Sequence, residues 1–188
     1  YHAADYLIKP INAAKLVDLL EKLTAEVEKE RRENNSRLIQ SAVYHNTDIS
    51  GCSLAPKDSL YYITLFYAGS YPLTGFNCLS YGYSFWNQAD LSSELPTSFF
   101  QQEFTWVING KNDSEKILIF SAPDADYASD AIHALYEKLA GRQGVPVTCI
   151  TSQPFPSLKN VNSTIRNLQG IIRKRLVFGE SGILMPNS

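Results

Sequence analysis

Residues 104–120, FTWVINGKNDSEKILIF, decide the fold of this chain. The runs 104–108 and 116–120 are rich in β-branched, aromatic and other apolar residues, which favour strands. Residues 109–113 between them, NGKND, are typical of a tight turn. The stretch therefore predicts a β-hairpin.

The segments around this hairpin predict an α+β domain over residues 60–185. Residues 61–67 (YYITLFY) and 146–150 favour strands, whereas 124–139 and 160–178 carry apolar residues at helical spacing. Residues 69–87 mix Gly, Ser, Tyr and Pro, and their pattern assigns no element. The order of elements predicts helices over one face of a mainly antiparallel sheet.

A long linker helix is predicted before this domain, over residues 12–41, which contain neither Gly nor Pro. Four apolar residues recur at spacings of four and three: Leu16, Leu20, Leu23 and Val27. This stripe covers about two heptads, which is compatible with a short coiled coil. Residues 42–59 are predicted as a loop because Asn, Asp, Ser, Gly and Pro punctuate them.

Composition and charge exclude several classes of protein. The 188 residues hold 17 Lys and Arg against 19 Asp and Glu, a net charge of −2, which argues against a chain that binds polyanions over its whole surface. No apolar run approaches the roughly 18–20 residues of a membrane span. Cys52, Cys78 and Cys149 have no metal or redox spacing. We expect a reduced, cytoplasmic protein with no metal, no cofactor and no membrane contact.

Aromatic residues near the unassigned segment form one candidate ligand site. Aromatic walls with a few hydroxyl groups suit a modest small molecule. The residues of this possible pocket are Tyr67, Tyr71, Tyr81, Tyr83 and Trp86. Packing of these rings on the core is the competing interpretation.

Basic residues on the last predicted helix form a second candidate surface. They are Arg166, Arg173, Lys174 and Arg175. Such a set can contact phosphates, but we interpret it as the solvated side of an amphipathic helix. His133 is likewise interpreted as a structural residue, and Asp124 as a helix cap. The sequence contains no recognisable phosphate loop, nucleophile elbow or zinc motif.

The string ADYLIKP at residues 4–10 resembles the closing strand of a two-component receiver domain, where an Ala-Asp-Tyr-Leu-x-Lys-Pro pattern precedes the last helix. The resemblance implies that residues 1–11 are the remnant of that strand and that Lys9 contacts a phosphoryl group on the acceptor Asp. It places Tyr6 at the aromatic position that turns inward on activation, and Pro10 after a bond that is often cis. The acceptor Asp and the preceding strands are absent from this sequence, so we expect no phosphate acceptance by the chain itself.

The other end resembles the region before the DNA-binding helices of YesN-like, AraC-type response regulators. It has a strand and loop from residue 147, a helix over 165–178 and an ending in which Arg175, Phe178 and Gly179 fit an Arg-x-x-Phe-x-Gly-like pattern. The resemblance implies the order receiver, linker helix, middle domain and helix-turn-helix pair. It also implies a homodimer, with a sensor histidine kinase and DNA as partners of the full-length protein.

Middle domains of this kind resemble the GGDEF, or nucleotide-cyclase-like, fold, which is ferredoxin-like. Cyclases of that fold carry Gly-Gly-Asp/Glu-Glu-Phe on the hairpin and an Asp on the first strand, which hold metal ions and a triphosphate. Here the hairpin reads NGKND and residues 61–67 contain no acid. We therefore expect a non-catalytic regulatory segment of a transcription factor that relays receiver phosphorylation. A small-molecule sensor is the alternative, and a degenerate cyclase is less favoured.

Overall fold

The computed structural model describes residues 13–45, 47, 49, 60–69, 76–100, 104–142, 144–176 and 179–186, with the backbone alone for residues 76–81. Within these ranges the helices are α1 (Ala13–His45), α2 (Phe76–Gln88), α3 (Leu91–Glu94), α4 (Ala125–Ala140) and α5 (Val161–Arg175). The strands are β1 (Leu60–Ala68), β2 (Thr105–Asn109), β3 (Glu115–Ala122), β4 (Val147–Thr151) and β5 (Gly182–Leu184).

These strands form one mixed sheet in the order β2-β3-β1-β4-β5. β1 is antiparallel to both β3 and β4, and β2 is antiparallel to β3. Only the pair β4–β5 is parallel in the described part of the chain. The predicted hairpin is confirmed, because β2 and β3 pair with Val107 opposite Leu118. The sheet is mainly antiparallel, as the sequence predicts.

The central strand β1 is buried on both of its faces. Ile63 and Leu65 pack in a cluster with α5 and the last turns of α1. Tyr62 and Phe66 pack in a second cluster with α2, α3 and α4. A strand with apolar side chains on both faces needs cover on both sides. The helices therefore cover both faces of the sheet, and not the one face expected from the sequence.

The end of α1 belongs to the core of the domain. Ile39, Ala42 and Val43 are buried there, in the cluster that also holds α5. Because these side chains find apolar partners, the helix continues to His45 and includes residues 42–45, which the sequence pattern predicts as the start of a loop.

Helix α2 lies in the segment for which the sequence pattern assigns no element. Its Phe85 and Trp86 are buried against the sheet, with ring centroids 4.9 Å apart in an edge-on arrangement. Tertiary packing of a few large rings can stabilise a helix that its local propensity does not favour. The predicted cap of α4 is confirmed, because Asp124 accepts from the Tyr127 N–H at 2.8 Å. The predicted end of α5 is wrong, since the helix ends at Arg175 and not at residue 178.

The chain divides into two compact units, residues 1–38 and 39–188. In the first unit, α1 exposes apolar side chains, with Leu20 55% and Val27 64% accessible. The second unit contains the sheet and both hydrophobic clusters. None of the helices in the described ranges combines the length and the apolar character needed to cross a membrane.

Candidate functional site: a basic cleft beside the hairpin

The turn between β2 and β3 is closed by short backbone and side-chain hydrogen bonds. The Gly110 N–H donates to the Glu115 carbonyl at 2.8 Å, and the Glu115 N–H donates to the Asn112 carbonyl at 3.1 Å. The Asn112 side chain accepts from the Ser114 N–H at 3.1 Å, which is how Asn commonly stabilises a turn. The hairpin tip is therefore an ordered wall on which a site can be built.

Glu115 is a buried carboxylate that links this turn to α5. Its Oε1 accepts from the Lys111 N–H at 3.2 Å and from Gln169 Nε2 at 2.7 Å. A Cβ at Gly110 would lie 2.4 Å from Glu115 Cβ, so only glycine lets this side chain cross the turn. Gly110, Glu115 and Gln169 together hold the hairpin against α5.

The end of α1 is attached to the same region by two hydrogen bonds. The Tyr44 hydroxyl donates to the Asn109 carbonyl at 2.7 Å. Asn162 Nδ2, which is buried on α5, donates to the Val43 carbonyl at 2.6 Å. Burial raises the pKa of Tyr44, and the nearby charge of Glu115 raises it further, so the phenol is neutral at physiological pH.

The opposite side of the hairpin packs tightly on α2. Trp86 Nε1 donates to the Ser114 carbonyl at 2.9 Å. A Cβ at Gly82 would lie 2.7 Å from the Ser114 Cα, so the helix backbone approaches the turn directly. The hairpin is therefore closed on the α2 side, and the open space lies on the α5 side.

That space is a cleft of about 490 Å³ between the hairpin, the end of α1 and α5. Three basic side chains line it: Lys111 from the hairpin, and Arg166 and Arg173 from α5. We call it the basic cleft. Arrangements of this kind can bind an anion, because guanidinium and ammonium groups are strong donors to phosphate and carboxylate.

A second, smaller cavity of about 170 Å³ lies between α4 and the ends of β4 and β5. Tyr62, Ser129 and His133 contribute to its walls. His133 is exposed, with its Nδ1 2.9 Å from the Ser129 carbonyl oxygen, one helical turn away. Burial raises the pKa of Tyr62, with a smaller contribution from Asp124.

The aromatic residues of the predicted pocket do not come together where they are described. Tyr67 and Trp86 are buried in clusters on opposite faces of the sheet. Tyr83 is 58% exposed. Tyr71 lies outside the described residues, as does the side chain of Tyr81.

The receiver-like residues Tyr6, Lys9 and Pro10 also lie outside the described residues, so their roles stay predictions. Of the predicted basic set, Arg166 and Arg173 line the basic cleft, whereas Arg175 donates to the Met185 carbonyl at 2.8 Å. Sequence reasoning missed Lys111, Glu115 and Gln169. The available sequence signal for Glu115 was a carboxylate shortly after a turn sequence, at the start of an otherwise apolar strand.

Acidic and sulfur-containing groups are dispersed in the described part of the chain, where no three His, Cys, Asp or Glu side chains could hold a metal ion together. Cys149 is buried, and burial raises the pKa of its thiol to about 12. The thiol is therefore protonated at neutral pH and behaves as a small apolar group.

No family model and no curated protein matches the chain. A solved structure, the GGDEF domain of DgcB from Caulobacter crescentus in complex with c-di-GMP, is similar at 10% identity with a TM-score of 0.42, covering 83% of this chain and 88% of that one.

The long first helix followed by a five-stranded, mainly antiparallel sheet covered by helices confirms the predicted α+β fold class. The sequence-based judgement that the chain is not an enzyme is contradicted by this comparison. That judgement is not retained.

Proposed function

We propose that the chain is a regulatory segment of a larger signalling protein, in which α1 pairs with α1 of a second copy and the GGDEF-like domain follows. The observation that carries the proposal is the exposed apolar stripe of α1. Leu20 and Val27 are 55% and 64% accessible, although Leu and Val usually lie inside proteins. A second copy of the helix would cover this stripe.

The spacing of the stripe supports a parallel two-stranded coiled coil. With Leu16 and Leu23 at d positions, Leu20 and Val27 fall at a positions, and the seam ends there because Glu30 occupies the next d position. Leu at d positions with a β-branched residue at an a position favours two parallel strands. The stripe is short, so we expect a dimer of modest affinity.

Charge also favours this arrangement. Glu26 falls at a g position and Arg31 at the e position of the following heptad. In a parallel dimer these two positions of opposite helices are neighbours and commonly form interhelical ion pairs. The same pair of opposite charges disfavours an antiparallel alternative, because it would no longer be adjacent across the interface.

The resemblances at the two ends support the proposal that this segment belongs to a response regulator. In that setting a receiver precedes α1, a sensor histidine kinase phosphorylates the receiver, and a helix-turn-helix pair after the domain binds DNA. The helix that carries the exposed stripe ends in the domain core, so pairing of α1 would bring two domains together. Sequencing the gene on both sides tests this setting, and the lack of either flanking module contradicts it.

Self-association is tested by measuring mass in solution. We expect a species of twice 21.0 kDa at micromolar concentration for the wild-type chain. Leu20→Glu should give the monomer, because a charge at an a position is not tolerated in a two-heptad seam. Ala25→Glu introduces the same residue on the outer side of the helix and should leave the dimer intact. A wild-type mass of 21.0 kDa at all concentrations would contradict the proposal.

Nucleotide cyclisation is the second candidate function, and the GGDEF-like fold class is the observation that favours it. Incubation of the chain with GTP and Mg²⁺ or Mn²⁺, followed by chromatography of the nucleotides, tests it. A cyclic product establishes the activity. Unchanged GTP at high protein concentration removes this candidate and leaves the self-association proposal untouched.

A further inference from the structure

We infer that the basic cleft binds a small phosphorylated molecule that carries two separated anionic groups. The inference goes beyond the proposed self-association, since every wall of the cleft belongs to residues 39–188 and the stripe of α1 lies in residues 1–38. A cavity of about 490 Å³ is of the size that encloses nucleotide-sized or sugar-phosphate-sized ligands.

The placement of the cations suits such a ligand. Arg166 and Arg173 are seven residues apart on α5, which puts them on the same face about 10 Å apart along the axis. Lys111 faces them from the hairpin wall. In the part of the chain that the structure describes, none of these three side chains forms an ion pair. Each is therefore available to a phosphate, which Arg can bind through two parallel hydrogen bonds.

The acid nearest the cleft, Glu115, does not line it and contributes one negative charge against the three cations of the lining. Glu115 is 6% exposed, and its Oε1 is already occupied by the Lys111 N–H and by Gln169. Tyr44 adds no negative charge, because its raised pKa keeps the phenol protonated and its hydroxyl donates to Asn109. The described residues that line the cleft are thus three cations and neutral side chains, with no acid among them.

Gly170 keeps the wall between the two arginines open. It lies in the interior of α5, and a Cβ built there meets nothing within 4 Å. Glycine in a helix interior is less favourable than alanine, so its presence is not explained by helix stability. A larger side chain at this position would project into the cleft and occupy the space of a ligand without changing any charge.

The experiment uses the full chain and isothermal titration calorimetry with two metal-free probes, inorganic pyrophosphate and GTP. We expect saturable binding of at least one probe, with one site per chain. Arg166→Glu/Arg173→Glu should weaken that binding by about tenfold or more, since charge-assisted hydrogen bonds are lost and charge is reversed. Lys159→Glu/Lys174→Glu is the matched control, because it reverses the same number of charges at two exposed residues that do not line the cleft. It should bind almost as the wild type does.

A second pair of variants distinguishes binding in the cleft from non-specific electrostatic attraction of anions to the protein. Gly170→Leu should abolish binding, whereas Gly170→Ala should retain most of it. Equal losses in Lys159→Glu/Lys174→Glu and in the double arginine variant would overturn the inference, as would full binding by Gly170→Leu. Absence of heat and of any thermal shift with both probes would also overturn it. Because self-association is measured by mass, failure of one proposal is distinguishable from failure of the other.

Discussion

Gly82 and Gly170, two glycines within helices, show at the scale of single residues why replacing a helical glycine can either destabilise or stabilise a protein. At Gly82 the Ser114 Cα is 2.7 Å from where a Cβ would stand, so the hairpin cannot approach α2 unless this side chain is missing. At Gly170 the same space is empty. Helix propensity alone treats both positions alike, and the contacts across the fold distinguish them.

We expect Gly82→Ala to destabilise the domain by about 1–3 kcal/mol, because an extra methyl group forces a backbone shift in a packed region. Gly170→Ala should instead stabilise it by roughly 0.4–1 kcal/mol through the loss of unfolded-state entropy. Urea unfolding followed by circular dichroism measures both. Similar changes for the two variants would contradict the packing of α2 on the hairpin.

Cys149 predicts a pH dependence of stability. Burial raises the pKa of its thiol to about 12, whereas an unfolded chain has a thiol pKa near about 8.5. Between these values the unfolded state releases a proton that the folded state retains, so the free energy of unfolding falls as pH rises. Below about pH 8.5 the thiol contributes no pH dependence, since both states are protonated.

Urea midpoints at several pH values from 8 to 10 test this expectation. The wild-type chain should lose stability over that range, and Cys149→Ala should lose less. The raised pKa values of Tyr44, Tyr62 and Tyr136 act in the same direction above their ordinary range, so some loss remains in the variant. Parallel slopes for the two proteins would contradict a buried, protonated Cys149.

At the scale of elements, the sequence predicted β1 to β4 and the two later helices because their apolar patterns are strong and local, whereas the three-residue strand β5 was not predicted. It missed α2, since a segment rich in Gly, Ser and Tyr has no clear period and forms a helix only through rings that pack on the sheet. Arg166 and Arg173 were noticed as a charged set on one helix. Lys111 was not linked to them, because their common cleft depends on a contact between distant parts of the chain.

The junction of α1 with α5 gives a prediction at this scale. Asn162 is buried and donates to the Val43 carbonyl at 2.6 Å. Asn162→Ala leaves that carbonyl without its donor, and we expect a loss of about 1–3 kcal/mol in the free energy of unfolding. Asn167→Ala is the control, because Asn167 is exposed on the same helix. Equal stability of the two variants would contradict a structural role for this hydrogen bond.

At the scale of the whole molecule, the boundary between the two units defines which pieces should fold. A fragment of residues 39–188 keeps Ile39 and Val43, which belong to the core. We expect it to unfold cooperatively near the temperature of the full chain. A fragment of residues 46–188 lacks both side chains, and each buried apolar side chain contributes roughly 1.5–3 kcal/mol. It should therefore melt well below the longer fragment in a calorimetric scan.

Equal melting temperatures of the two fragments would contradict this prediction, since the end of α1 would then add nothing to the stability of the core. The longer fragment also lacks the stripe of residues 16–27, so its mass should be that of a monomer even where the full chain is a dimer. We therefore expect residues before 39 to determine self-association and residues from 39 onward to determine the stability of the domain.

The position of β1 in the chain also matters while the protein is being made. β1 is the first strand of the sheet to be synthesised, yet Thr64 pairs with Thr151, which follows 87 residues later. At typical elongation rates the ribosome needs on the order of ten seconds to deliver that partner. One edge of this aromatic strand can pair once β3 has been made, but the other stays unpaired for the whole interval, and unpaired strand edges aggregate or recruit chaperones. Yield in a cell is therefore expected to depend on how well this interval is protected.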